Sequence, residues 1–61
     1  MNNAQYYYLW ANHYYLNAQL KDNPIEKNLL KEKGLLKIQQ ALTVDATNKF
    51  YLSLEKKLNS Q

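Results

Sequence analysis

Cysteine and arginine are absent from this chain, and glycine and proline occur once each. Each absence removes a class of solution. Without thiols there is no disulfide framework, and one histidine with no cysteine cannot furnish the four ligands of a structural zinc site. Those are two of the usual means by which a short chain makes up for a thin core, and at 61 residues folding buries only about 60% of the unfolded surface. Tight helix packing or association with another chain remains. A single glycine cannot build a phosphate-cradling loop. All 8 basic residues are lysine, set against 5 acidic ones for a net charge of +3. The planar guanidinium that reads base edges and grips phosphate bidentately is therefore missing.

Charge of either sign is also missing from the first twenty residues, which hold no Asp, Glu, Lys or Arg. An aromatic, charge-free opening of this kind reads as surface meant to be covered. It is not a targeting signal, because Met1-Asn2-Asn3 supplies no basic n-region, and it is not a membrane span, because Asn12, His13, Asn17 and Gln19 interrupt it. The expectation is one soluble, cytoplasmic domain covering residues 1–61.

What is present favours helix. Leu, Ala, Lys, Gln and Glu dominate, while the β-branched residues are few: Ile25, Ile38, Thr43, Val44 and Thr47. Asp22-Asn23-Pro24 is the clearest break, with proline suited to a first helical position and Asn23 or Asp22 to an N-cap. A second break falls at Thr43-Val44-Asp45, where Asp45 is placed to cap a helix beginning at Ala46. An all-α three-helix bundle follows, with helices over about 3–21, 24–43 and 46–59. Leu30, Gly34, Ile38, Ala41 and Leu42 keep helical spacing, so the middle helix is expected to run through Gly34 rather than end there.

On a wheel at ~100° per residue, the first helix is apolar on two sides. Ala4, Tyr7, Tyr8, Ala11, Tyr14, Tyr15 and Ala18 share one broad face with Trp10 at its margin. Leu9, Leu16 and Leu20, with Tyr6 beside them, share the opposite one. A surface helix of a lone globule needs one apolar stripe, so the second stripe calls for a second neighbour. On the middle helix Ile25, Leu29 and Leu36 share one side, while Leu30, Leu35, Ile38, Ala41 and Leu42 spread over the other. The third helix presents Phe50, Tyr51, Leu54 and Leu58 for packing across the first two.

Catalytic chemistry finds no foothold. His13 has no neighbouring thiol or carboxylate in sequence, Ser53 and Ser60 lack an activating base, and Glu26 and Glu32 are six positions apart on different helix faces. No enzyme, cofactor or metal site is expected. Tyr6, Tyr7, Tyr8, Tyr14 and Tyr15 with Trp10 instead concentrate aromatic surface on one helix. Such side chains combine large burial with a polar tip, as at protein interfaces.

The run Tyr7-Tyr8-Leu9-Trp10-Ala11-Asn12-His13-Tyr14-Tyr15 resembles the first helix of a tetratricopeptide repeat, whose pattern is W-x2-L-G-x2-Y. Tyr7 stands at the aromatic position, Trp10 at the leucine, Ala11 at the small residue and Tyr14 at the tyrosine. Gly34, Ile38, Ala41-Leu42 and Asp45-Ala46-Thr47-Asn48 resemble the second helix and its exit, with the segment around Asn23-Pro24 longer than a ~34-residue period provides. The resemblance implies a helical hairpin plus a third helix that binds a protein segment, and it assigns no catalytic residue. Arrays of this kind need about three units to bury their faces, and one and a half are present.

The sequence therefore points to a small protein–protein interaction module, either a homo-oligomer or a unit docking on a larger protein. Tyr6, Leu9, Trp10, His13, Leu16 and Leu20 are the expected partner-binding residues, the alternative being that the two faces of the first helix swap roles. Tyr7, Ala11, Tyr14, Gly34, Ile38, Ala41, Phe50 and Leu54 are the expected helix-packing residues. The alternative is a small basic regulator, phage-like or plasmid-like in size, that binds nucleic acid without sequence preference through Lys27, Lys31, Lys33 and Lys37. Against it, Lys27 and Lys31 point one way and Lys33 and Lys37 another, as solvated charges do. A lipid-surface role lacks lysines flanking the first helix.

Overall fold

Three helices make up the computed structural model, which describes residues 3–60: α1 (Asn3–Gln19), α2 (Pro24–Val44) and α3 (Lys49–Asn59). α1 stops at Gln19, two residues short of the expected end. Its last turn tightens into three-residue bonds, with Leu20 N–H donating to Asn17 O at 3.1 Å and Lys21 N–H to Ala18 O at 3.2 Å. Asn23 is then held in extended conformation, as a residue before proline must be, and its side chain accepts from the N–H groups of Ile25 and Glu26.

α2 continues unbroken for 21 residues, and no glycine takes a positive φ. The middle helix thus runs through Gly34 as the apolar spacing implied. It ends at Val44, where Asp45 N–H donates to Ala41 O at 3.0 Å. Asp45 is a C-cap, not the N-cap of the next helix, and α3 begins at Lys49 rather than Ala46. Asn48 takes the capping role because its amide works in two directions. Its oxygen accepts from Phe50 N–H at 2.9 Å and Tyr51 N–H at 3.2 Å, while its nitrogen donates to Asp45 Oδ2 at 3.1 Å. A carboxylate at this position could accept but not donate.

Packing turns on small residues. Ala4, Ala11 and Ala18, seven apart on α1, are all buried: Ala4 and Ala11 belong to one core with Ile38 and Ala41 of α2, and Ala18 lies at the cleft lined by Lys27 and Lys31. A Cβ placed on Gly34 would stand 3.4 Å from Ala11 O and 2.9 Å from Leu58 Cδ2. Gly34 is therefore the point where all three helices converge, and its missing side chain is the space that Leu58 fills. α3 lies mainly against α2 and touches α1 less. It buries Tyr51, Leu54 and Leu58, an i, i+3, i+7 stripe. Phe50, expected to pack, instead stands 74% exposed. One residue before Tyr51, it is turned ~100° off that stripe and lies outside the inter-helix space.

The tyrosines ring this core rather than fill it. Tyr7, Tyr8 and Tyr15 are half-buried against it with Leu35 and Leu42, and the Tyr8 ring lies over Tyr51 at 4.9 Å. Among the described residues no buried side-chain nitrogen or oxygen lacks a partner. The Cα envelope measures 33 × 20 × 13 Å; with Cα atoms ~2.3 Å from each axis and packed axes ~8–10 Å apart, its thin direction is about two helices deep. Each helix consequently keeps an outward face.

Two substitutions test this packing by thermal unfolding. Gly34→Leu puts a branched side chain into the Leu58 contact and should destabilise by about 1–3 kcal/mol or more, lowering Tm by roughly 4–8 °C per kcal/mol. Asn48→Ala removes the α3 cap and should lose about 1 kcal/mol, whereas Asp45→Asn, which keeps a side-chain acceptor for the Asn48 amide, should lose much less.

Candidate functional site

The face of α1 directed away from α2 and α3 carries the residues that the sequence assigned to a partner. Leu9 is 49%, Leu16 54% and Leu20 80% exposed, and Tyr6 and Trp10 are exposed beside them. Tyr6, Leu9, Trp10 and His13 come together around an open, mainly apolar depression of about 350 Å³. Leu16 extends this stripe toward the C-terminal end of α1, and Leu20 follows in the turn just beyond it. The stripe is left outside because the opposite side of the helix, the Ala4, Ala11 and Ala18 line with Tyr7, Tyr8 and Tyr15 beside it, makes the internal contact.

The aromatic groups along this face are braced against one another. Trp10 meets His13 edge to face at 5.8 Å and lies tilted against Tyr14 at 5.7 Å, and Tyr6 meets Tyr7 edge to face at 5.6 Å. Asn17 Nδ2 donates to His13 O at 2.8 Å and also sits 3.3 Å from the His13 ring. Aromatic pairs of this kind are worth about 0.5–1.5 kcal/mol beyond the area they bury. They hold Trp10 and His13 in place without covering them, which is the pre-ordering a docking surface requires.

The helix-packing set divides. Ala11, Gly34, Ile38, Ala41 and Leu54 are buried, Tyr7 and Tyr14 are half-buried, and Phe50 is exposed. Tyr7 receives the Lys37 ammonium 5.7 Å over its ring, a cation–π contact across α1 and α2. Tyr14 borders a groove of about 540 Å³ with Lys33, Leu36, Lys37 and Gln40 of α2. Tyr51 and Leu58, named in the sequence only as part of the α3 pattern, contribute more to the core than Phe50.

Two further features of the surface lie outside the α1 face. On α2, Ile25, Leu29 and Leu36 form a second exposed apolar stripe, with Glu26, Glu32 and Lys33 interleaved. At the far end of the hairpin, Lys27 and Lys31 of α2 and Lys57 of α3 border one cleft of about 350 Å³ with Tyr15, Gln19 and Ser60. There Lys31 Nζ donates to Ser60 O at 2.6 Å. The four lysines of the nucleic-acid alternative are thus split, Lys27 and Lys31 lining this cleft and Lys33 and Lys37 the Tyr14 groove. The i, i+4 spacing of Lys27 and Lys31 is visible in sequence, but Lys57 joins them only through the return of α3.

Among the described residues no three His, Cys, Asp or Glu side chains gather where they could hold a metal ion, and no helix is long and apolar enough to cross a membrane. Comparison of the chain with protein-family models, with curated proteins and with solved structures finds no match.

Proposed function

We propose that this protein is a small protein–protein interaction module whose contact surface is the outer face of α1, built from Tyr6, Leu9, Trp10, His13, Leu16 and Leu20. The observation that carries the reading is the exposure of Leu9, Leu16 and Leu20 on a helix whose opposite side already buries Ala4, Ala11 and Ala18. A buried leucine gains about 1.5–3 kcal/mol over an exposed one, so covering three leucines that stand half to four-fifths exposed supplies several kcal/mol before association entropy. Aromatic anchors flanking a leucine stripe are the composition of binding hot spots. The hairpin-like contact of Ala11 with Gly34 supports the kinship with helical repeats that capture protein segments, and a cytoplasmic setting is part of the same reading.

The test is site-specific photocrosslinking in cells that express the full chain. A crosslinking residue at position 9 or 16 should give a discrete adduct of defined mass, and one at position 32, between the α2 leucines, should not. No adduct from positions 9 and 16, or equal labelling from all three, would contradict the reading.

The convergence of Lys27, Lys31 and Lys57 on one cleft favours anion contact as the second reading, with nucleic acid as its partner. Three ammonium groups neutralising phosphates give weak binding that falls steeply with salt. An interaction module should show no mobility shift of nonspecific duplex at moderate salt. A shift that persists there and disappears with Lys27→Gln/Lys31→Gln/Lys57→Gln would displace the protein-binding reading.

A further inference from the structure

Resting on that reading, we propose that the partner of the α1 face is a second copy of this chain, joined through a heptad seam in which Tyr6, His13 and Leu20 occupy the a positions and Leu9 and Leu16 the d positions. The steps Tyr6 to Leu9, Leu9 to His13, His13 to Leu16 and Leu16 to Leu20 alternate three and four. In the same frame Ala4, Ala11 and Ala18, the buried line, all fall at f. α1 therefore carries two seven-residue repeats on opposite sides, small residues turned inward and large ones outward.

An apolar stripe with a 3.5-residue period is complementary to another helix running along it. A lipid surface or an extended peptide does not call for that spacing. The seam from residue 6 to residue 20 spans ~21 Å at 1.5 Å per residue. Two heptads are short for an isolated coiled coil, but α1 is already folded against α2 and α3 and need not be nucleated by the pairing.

Charge selects the occupant. Coiled coils choose partners through charges at e and g, and here those positions are Gln5, Trp10, Asn12, Asn17 and Gln19, none of them ionised. A helix presenting an acidic or basic flank finds no counter-charge on this face. The uncharged helix of an identical chain fits it, and because every Asp, Glu and Lys lies at residue 21 or later, two copies of net charge +3 meet where neither carries charge. The α2 stripe does not have this property, since Glu26, Glu32 and Lys33 stand among Ile25, Leu29 and Leu36.

His13 sets the alignment. It is the one imidazole among the seam positions, already steadied by Asn17 and Trp10. A parallel, in-register pairing brings the two His13 rings face to face, where one N–H donates to the other ring's free nitrogen. A slip by a heptad sets each ring against Tyr6 or Leu20, and an antiparallel pairing sets it against leucine. A lone polar a position used in this way fixes register at some expense of affinity.

Because the chain has no cysteine, single cysteines report the geometry directly. Sedimentation equilibrium over a concentration series should show a monomer–dimer equilibrium. Leu16→Lys, with its fold checked by circular dichroism, should weaken it by on the order of 100-fold, since a contact is lost and a charge gained in both copies. Leu36→Lys, on the α2 stripe, should leave it unchanged. Under mild oxidation Leu9→Cys should form a symmetric covalent dimer, and Leu36→Cys, at the more exposed position, should not. A monomer at every concentration, or a dimer abolished by Leu36→Lys and untouched by Leu16→Lys, overturns the proposal. If photocrosslinks from positions 9 and 16 then reach a different protein, the interaction reading stands and only the identity of the partner falls. If they reach nothing, both fall.

Discussion

The approach of α1 to α2 at Ala11 and Gly34 is the constraint from which the rest of the molecule follows. With a Cβ on Gly34 lying 2.9 Å from Leu58 Cδ2 and 3.4 Å from Ala11 O, there is room at that crossing for backbone and for one leucine from α3, and for nothing larger. At that crossing α1 presents the small Ala11, and the buried positions seven residues to either side, Ala4 and Ala18, are alanine as well. Alanine packs closely and loses no side-chain entropy, but it buries about one methyl group, worth roughly 0.8 kcal/mol. The large side chains that a 61-residue chain needs for burial are displaced to the rim of the contact, as tyrosines, and to the outer face, as leucines and Trp10.

This division links fold to function. The rim tyrosines Tyr7, Tyr8 and Tyr15 pack against the core while staying half-buried, so five of six tyrosines sit on one helix while, among the described residues, no buried side-chain nitrogen or oxygen lacks a partner. The outer leucines have no such compromise available inside the chain. Under the proposed pairing they supply the burial that the alanine core does not, and association becomes part of the folding free energy. The absence of charge on α1, costly for solubility in a lone monomer, then becomes a condition of the contact.

Much of this was legible in the residues. Asn23-Pro24 marks the α2 start because proline's fixed φ and missing N–H suit one place in a helix and the residue before it must be extended. The continuity of α2 followed from apolar spacing on both sides of Gly34, and helical spacing set Leu9, Leu16 and Leu20 opposite Ala4, Ala11 and Ala18, while which of the two faces turns outward is decided by packing. The misses have a common cause. Asp45 and Asn48 are both capable caps, and the choice between them depends on a reciprocal bond across a turn. Phe50 and Tyr51 are adjacent aromatics, and which one points inward depends on how far α3 rotates to bring Leu58 over Gly34. The meeting of Lys57 with Lys27 and Lys31 depends on that same path. Each of these is decided by the packing of one helix on another, and no local pattern records it.

The claim at the centre is that a thin alanine core is completed by covering the outer face of α1 with the same face of another copy. The most direct measurement is the melting temperature of the unmodified protein as a function of its concentration. Coupled folding and association predict a Tm that climbs steadily with concentration, together with a shift of Trp10 emission to shorter wavelength as its surroundings dry. A Tm and an emission maximum that stay constant from dilute to concentrated solution would contradict the account.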